Sequence, residues 1–202
     1  MNKKQIIQNF LINKKQEFFF EAYLEILKEY NAHTNVVGKS TLEDPWTKHF
    51  LDSLQVSSFI ENKTTSIIDM GTGAGFPGLV LSIMGYSDVT LVDSSSKKIK
   101  FLGKVKKKLN LNTKIILGRV EKQSNRKFDI VTCRALASLE KLISYSQKFI
   151  KKNTVLIFLK GKTVNEEIEQ AQQQWSFQFE KHQSISDSRG SIITIRDSKK
   201  IK

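Results

Sequence analysis

Cysteine is almost absent from this chain. Cys133 is the only one among 202 residues. That excludes an intramolecular disulfide and a thiolate-based metal site, and it suits a reducing cytosol. No apolar run approaches the ~20 residues that a helix needs to cross a bilayer. The N-terminus, MNKKQIIQNFLINKKQEFFF, is basic, but Asn9, Asn13 and Lys14 interrupt its apolar residues. It also lacks a small-residue cleavage site, so it does not read as a signal peptide. A cytoplasmic protein with no membrane contact is expected. Acidic residues are in deficit, with 20 Asp and Glu against 33 Lys and Arg, which leaves a formal charge of +13. Such a balance favours polyanions, nucleic acid above all, although a Lys-rich surface also serves solubility alone.

The length fits one domain that buries roughly 70% of its unfolded surface. Its first part reads as helical: Ile7, Phe10, Leu11, Phe19, Tyr23, Ile26, Leu27 and Tyr30 recur at three- and four-residue spacing. Asp44-Pro45 has the form of a helix cap followed by proline at the first helical position. The segment after it sets Trp46, Phe50 and Leu54 on one face. From Ser66 the texture changes. SIIDM, VTLVD, TKIILG, FDIVTC and TVLIFLK are short β-branched runs, separated by helical stretches at 77–84, 95–110, 138–150 and 163–174. This alternation predicts an α/β fold with a parallel sheet covered on both faces. WSFQFEKHQSI and GSIITIRD then predict two antiparallel strands at one edge. A helical extension over 1–62 and an α/β domain over 63–202, forming one compact unit, are expected.

The densest glycine cluster lies in IIDMGTGAGFPGL, directly after an apolar run. A phosphate-binding loop is excluded elsewhere: the endings GKS at 38–40 and GKT at 161–163 lack the required earlier glycine, having His33 and Leu156 in its place. A dinucleotide fingerprint fits only from Gly73 through Gly75 and Gly78. That register starts late after the strand and places Pro77 where the helix should open. The remaining pattern is Asp69-x-Gly71-x-Gly73-x-Gly75, which lets backbone approach a ligand closely. Asp93 ends the second strand about twenty residues past Gly71, where an acidic group takes ribose hydroxyls. Asp93 also fits as a cap for the helix that follows. A nucleoside with no phosphate, S-adenosylmethionine, satisfies the pattern best. An NAD-dependent oxidoreductase and a non-enzymatic RNA-binding scaffold are the competing readings, though the first leaves little chain for a substrate domain.

MGTGAGFPG followed by LVDSSSKKIKFL resembles the glucose-inhibited division protein B family, 16S ribosomal RNA guanine-N7 methyltransferases. KHFLDSL at 48–54, GRVE at 118–121, CRALASL at 133–139 and LKG at 159–161 agree in order, so the resemblance spans about 20–165. Asn35-Val36-Val37, Lys48 and Cys133 depart from the family's usual residues. The resemblance implies a Rossmann-like class I methyltransferase sheet, S-adenosylmethionine as cofactor, and 16S rRNA or a small-subunit assembly state as partner of a monomer.

For the cofactor, Gly71, Gly73 and Gly75 are expected at the amino-acid tail and Asp93 at the ribose. Phe76 would wall the site, or serve as a core contact. The resemblance places Val120 and Glu121 at the adenine; by position alone Glu121 reads as a solvated acid. No metal and no general base are expected, because guanine N7 carries a lone pair and no proton. Arg is the usual reader of the guanine Hoogsteen edge. Arg134, after the fourth strand, is expected near the reacting centre, within reach of cofactor and base, with Arg119 beside it to position substrate. Both also fit surface ion pairs. His49, Asp52 and Ser53 share a helix face that lines the RNA side or packs the extension onto the sheet. Lys97 and Lys98 open a Lys-rich helix over 97–109 that, with Lys160 and the SKKIK tail, would bind RNA phosphates or be plainly solvated.

Overall fold

The computed structural model describes residues 1–201; Lys202, the last residue of the SKKIK tail, lies outside them. Two helices open the chain, α1 (Lys3–Asn9) and α2 (Lys14–His33). Each begins with an Asn-x-x-Gln box: Asn2 and Asn13 accept from the amides of Gln5 and Gln16, whose side chains reach back to the cap amides. These reciprocal bonds satisfy amides that a helix start otherwise leaves open. Asn13 and Lys14, which break the apolar pattern in the sequence, thus mark a helix start. Leu11 departs from expectation. It lies in the link between the helices with φ of 49° and is 86% exposed, while Ile6 and Ile12 are buried.

Asp44 caps the next segment as expected, its Oδ1 accepting from the Thr47 amide at 3.2 Å. The segment is not a regular α-helix. Trp46–Leu51 forms wide i→i+5 turns, Asp52–Leu54 a single α-turn (α3), and Gln55–Phe59 tight i→i+3 turns. Trp46, Phe50 and Leu54 still point inward, all buried.

The strands are β1 (Ser66–Met70), β2 (Asp88–Asp93), β3 (Lys114–Leu117), β4 (Phe128–Arg134), β5 (Ile150–Lys160), β6 (Trp175–Gln183) and β7 (Ser191–Lys200). They form one seven-stranded sheet in the order β3-β2-β1-β4-β5-β7-β6. The first five are parallel, and β7 runs antiparallel to both β5 and β6. The helices α4 (Gly78–Ile83), α5 (Ser96–Leu109), α6 (Leu139–Ser146) and α7 (Val164–Gln172) fall within the expected stretches. The strand order reverses beside β1, and ligands of open α/β sheets bind at the carboxyl ends next to such a reversal.

Each sheet face carries its own core. One gathers α6 and α7 against Ile68, Val131, Phe158 and Ile193. The other gathers Ile6, Phe20, Tyr23, Leu27 and Phe50 from the extension with Phe76, Leu79, Leu91 and Phe101. The extension therefore has no separate core; it covers one face of the sheet together with α4 and α5. No described helix is long and apolar enough to cross a membrane.

Candidate active site

Beyond Met70 the chain turns through Gly71, Gly73 and Gly75 with φ of +64°, +62° and +99°, a region that side chains other than glycine enter with strain. The loop is held from beneath. Asp69, wholly buried at the end of β1, accepts from Thr72 Oγ1 (2.5 Å) and the Gly78 amide (2.9 Å) through Oδ2. Burial raises its carboxyl to about 7, against the pull of those two bonds. Its Oδ1 is buried with no partner among the described residues. Tyr23 of α2 donates its hydroxyl to the Ala74 carbonyl, so the extension also grips the loop.

Asp93 ends β2, side chain 8% exposed. It accepts from the Gly73 amide (Oδ2, 2.9 Å) and the Ser95 amide (Oδ1, 2.8 Å), and Lys98 Nζ lies 4.0 Å from Oδ2. The cap of α5 is Ser95, whose hydroxyl accepts from the Lys98 amide. Asp93 faces a cavity of about 280 Å³ together with Gly71, Lys98, Arg119, Val120 and Glu121. That volume lies just below the range for small-ligand pockets, about 300–1,000 Å³. The donor set fits a neutral nucleoside. The Gly73 amide, which a diphosphate would need, is already held by a carboxylate, and that carboxylate would repel the phosphate. Two carboxylate oxygens with spare lone pairs suit vicinal hydroxyls instead.

A second cavity of about 400 Å³ adjoins the first, and Ala135 lines both. Ala135 has φ of 56°, a left-handed turn that costs an alanine roughly 1–2 kcal/mol. The turn sends Arg134 toward the second cavity and Leu136 toward the first. Arg134 is tied to the extension. Nη1 donates to the Lys48 carbonyl (3.2 Å) and Asp52 Oδ2 (3.0 Å), and Nη2 to His49 Nδ1 (3.1 Å). Its guanidinium also lies 5.0 Å from the Phe76 ring centre. Since His49 Nδ1 accepts, its Nε2 carries the proton and donates to Thr41 Oγ1 at 2.7 Å. Burial, then the neighbouring Arg134 charge, lowers the His49 pKa to about 3, so the ring is neutral near pH 7. Asp52 Oδ1 accepts from Ser186 Oγ (2.6 Å) and Gln55 Nε2 (3.1 Å), which joins this cluster to the β6–β7 turn.

The structure brings Gly71, Asp93, Arg119, Val120, Glu121 and Lys98 around one cavity. Five expectations need correction. Gly75 does not line that cavity: a Cβ there would meet Leu79, Leu102 and the Tyr23 hydroxyl at 2.8–2.9 Å, so it serves the packing of the loop. Phe76 does not wall that cavity: it is buried, stacked with Tyr23 (5.4 Å) and His49 (4.6 Å) in the core beneath the extension. Arg134 does not line that cavity, where Arg119 stands; it lines the second. Arg134 is paired, yet not on the open surface, its side chain being 19% exposed. His49 does not line an RNA face; of the two readings the packing one holds, since it is buried against Phe76 beneath the extension, and Ser53 donates to its carbonyl at 2.7 Å. Lys160 is not free for phosphate. Its side chain is 7% exposed, and its ammonium binds Glu167 (2.6 Å) and the Ala137 carbonyl (2.9 Å), which fixes the loop after β4. Cys133 is buried and its thiol is pushed well up by burial, which makes it a small core residue.

Lys97 and Lys100 are exposed on α5, as are Lys107 and Lys108; Lys104 pairs with Glu29. Sequence reasoning missed Leu136 and Tyr145, which line the first cavity, and the Gln55–Ser184–Ser186 contacts at the second. No local pattern signals them, because each depends on strands far apart in sequence.

This arrangement matches known proteins. Residues 16–195 match the family profile described as rRNA small subunit methyltransferase G. The chain is 40% identical to Ribosomal RNA small subunit methyltransferase G of Rhodospirillum rubrum over 177 residues, 87% of each chain. It is 39% identical to that of Rickettsia prowazekii, over 90% of this chain and 94% of the relative. The fold is similar to that of a ribosomal protein L11 methylase from Lactobacillus delbrueckii subsp. bulgaricus. There the TM-score is 0.60 at 20% identity, over 72% of this chain and 76% of the other. With its glycine loop, its Asp93 and this match along most of its length, the chain belongs to the rRNA small subunit methyltransferase G family, the S-adenosylmethionine-dependent guanine-N7 methyltransferases of 16S rRNA.

Proposed function

We propose that the two adjoining cavities divide one reaction, methyl transfer from S-adenosylmethionine to N7 of a single guanine in 16S rRNA. The observation that carries this division is Ala135, the wall common to a nucleoside-type cavity and an Arg-lined one. In the first, Asp93 takes the ribose hydroxyls, Gly71 and Gly73 leave room for the amino-acid tail, and Val120 and Glu121 border the adenine.

When bound, the cofactor supplies a sulfonium methyl that passes to the N7 lone pair, while the C–S bonding electrons leave with sulfur as a neutral thioether. No proton moves, so the chain's work is alignment, which is worth up to roughly 7–11 kcal/mol in well-oriented reactions. Arg134 offers its remaining N–H donors to guanine O6 or to a flanking phosphate, leaving N7 free. Arg119, exposed at the rim of the first cavity, is set to hold the RNA backbone.

In A-form RNA the N7 edge lies in a deep, narrow groove that side chains do not read. The target guanine is therefore in a loop or flipped out, and folded rRNA or an assembling small subunit in the cytoplasm is the substrate. The exposed lysines of α5 attract its phosphates in a salt-dependent manner. Labelled methyl incorporation into naked 16S rRNA, ribonucleoprotein particles and whole subunits, mapped to one nucleotide, tests the reading. Tight NAD binding in place of S-adenosylmethionine would sink the cofactor assignment. Equal rates on short unstructured oligonucleotides would sink the folded substrate.

A further inference from the structure

Arg134 stands at the wall between the two cavities, and its partners are concentrated in one short stretch. Lys48, His49 and Asp52 all come from the wide turns over 46–51 and the α-turn that follows. This stretch brings a backbone carbonyl, an imidazole and a carboxylate together onto one guanidinium. Of these partners only Asp52 carries charge near pH 7, because His49 is neutral. Asp52 is in turn clamped through its other oxygen by Ser186 and Gln55. The pair is largely shielded, with Arg134 19% and Asp52 21% exposed, and both line the second cavity.

A guanidinium has five N–H donors. Three are used on residues 48–52, which leaves two for a ligand. An arginine free to move pairs with guanine through O6 and N7 together. In a methyl transfer to N7 that pairing would occupy the attacking lone pair. We propose that Asp52 is a positioning residue that holds the Arg134 fork still, so that the guanine is bound through O6 or phosphate with N7 left open to the cofactor. This rests on the reading of the second cavity as the acceptor site. Asp52 has no part in cofactor binding, since it does not line the first cavity.

The test is steady-state kinetics on undermethylated 16S rRNA or small subunits, with cofactor affinity measured separately by calorimetry. Asp52→Asn keeps an acceptor for Ser186 but removes the negative charge that faces Arg134. It should lower kcat by about tenfold or more through misalignment, with KM for RNA unchanged or lower and S-adenosylmethionine affinity within about twofold of wild type, since Asp52 lies outside that site. Asp52→Glu should restore part of kcat. In the Arg134→Lys background, which has no fork to misplace, Asp52→Asn should add little. A raised KM with unaltered kcat overturns the inference, as does an Asp52→Glu variant no better than Asp52→Asn. Should Asp52→Asn fail to fold, Ser186→Ala removes one clamp and should lower kcat by about two- to fivefold at constant KM; an unchanged kcat there overturns it equally. A wild-type chain that methylates no rRNA overturns the functional reading itself, whereas an active wild type with a pure KM effect at Asp52 overturns this inference alone.

Discussion

The two cavities are built by different means. The first cavity, the proposed cofactor side, is mostly the work of one stretch of chain, from Asp69 to Glu121, and rests on glycines in left-handed geometry and on one carboxylate bonded to a loop amide. The second, the proposed acceptor side, is assembled from residues 48–55, 134–135, 159–167 and 184–192, and side chains hold it together through Arg134–Asp52, Lys160–Glu167 and Gln55–Ser184. A site made of local backbone is specified by composition and spacing. One made of distant side chains is specified by the fold, and each tie is a place where it can fail by itself.

The largest expected effect tests that independence. Arg134→Ala should reduce methylation by about 100-fold or more, as loss of an aligning charged group does, while calorimetry finds S-adenosylmethionine bound as before. A parallel loss of cofactor affinity would merge the two sides into one unit. Asp93→Ala is the reverse experiment. Removing hydrogen bonds to a charged group costs about 1.5–3 kcal/mol, so cofactor affinity should fall by one to two orders of magnitude while RNA retention on a filter is unchanged.

Acid separates the sides in another way. The His49 pKa is lowered from 6.5 to about 3 in the folded chain. Below 6.5 the unfolded state binds the proton and the folded state does not, so stability falls as pH drops from 6.5 toward 3. The loss should reach up to ~3 kcal/mol by pH 4. Asp69, raised to about 7, acts oppositely: its contribution is present at low pH and lost as pH rises from about 4 through 7. Urea unfolding of His49→Phe against wild type should therefore show a flatter acid limb, and identical slopes would remove His49 as the cause. The smallest effect lies within the first cavity, where Gly71 and Leu136 both belong. A Cβ at Gly71 would lie 2.6 Å from Leu136 Cδ1. Gly71→Ala should weaken cofactor binding by about tenfold through strain at positive φ, and Leu136→Ala should recover part of it. No recovery would show that backbone strain alone is at work.

The same contrast explains what could be read in advance. The parallel strands, the antiparallel tail, the glycine turn with Asp93 and the Lys face of α5 are local patterns of period, turn chemistry and strand ends. The capping boxes at Asn2 and Asn13 are also local, but in the sequence Asn13 reads as an interruption of an apolar stripe. The fate of Phe76 was not legible: its partners Tyr23 and His49 come from earlier helical segments, and nothing near Phe76 says that these pack there. Lys160 looked like any lysine at a strand end, and only the placement of Glu167 on α7 beneath it turns it inward. Arg134 read correctly as a residue of the strand end. Its tether to Lys48, His49 and Asp52, more than eighty positions away, was invisible.

The shared core of the extension and the sheet also has a consequence for how the chain is made. Tyr23 and Phe50 leave the ribosome first, yet they pack on Phe76 and Phe101, which emerge later. At the usual roughly 5–20 residues per second, the apolar side of α2 waits several seconds for its covering. A helix made before the residues that cover it is thus completed only after them, and in a crowded cell that interval leaves its apolar side open to chaperones.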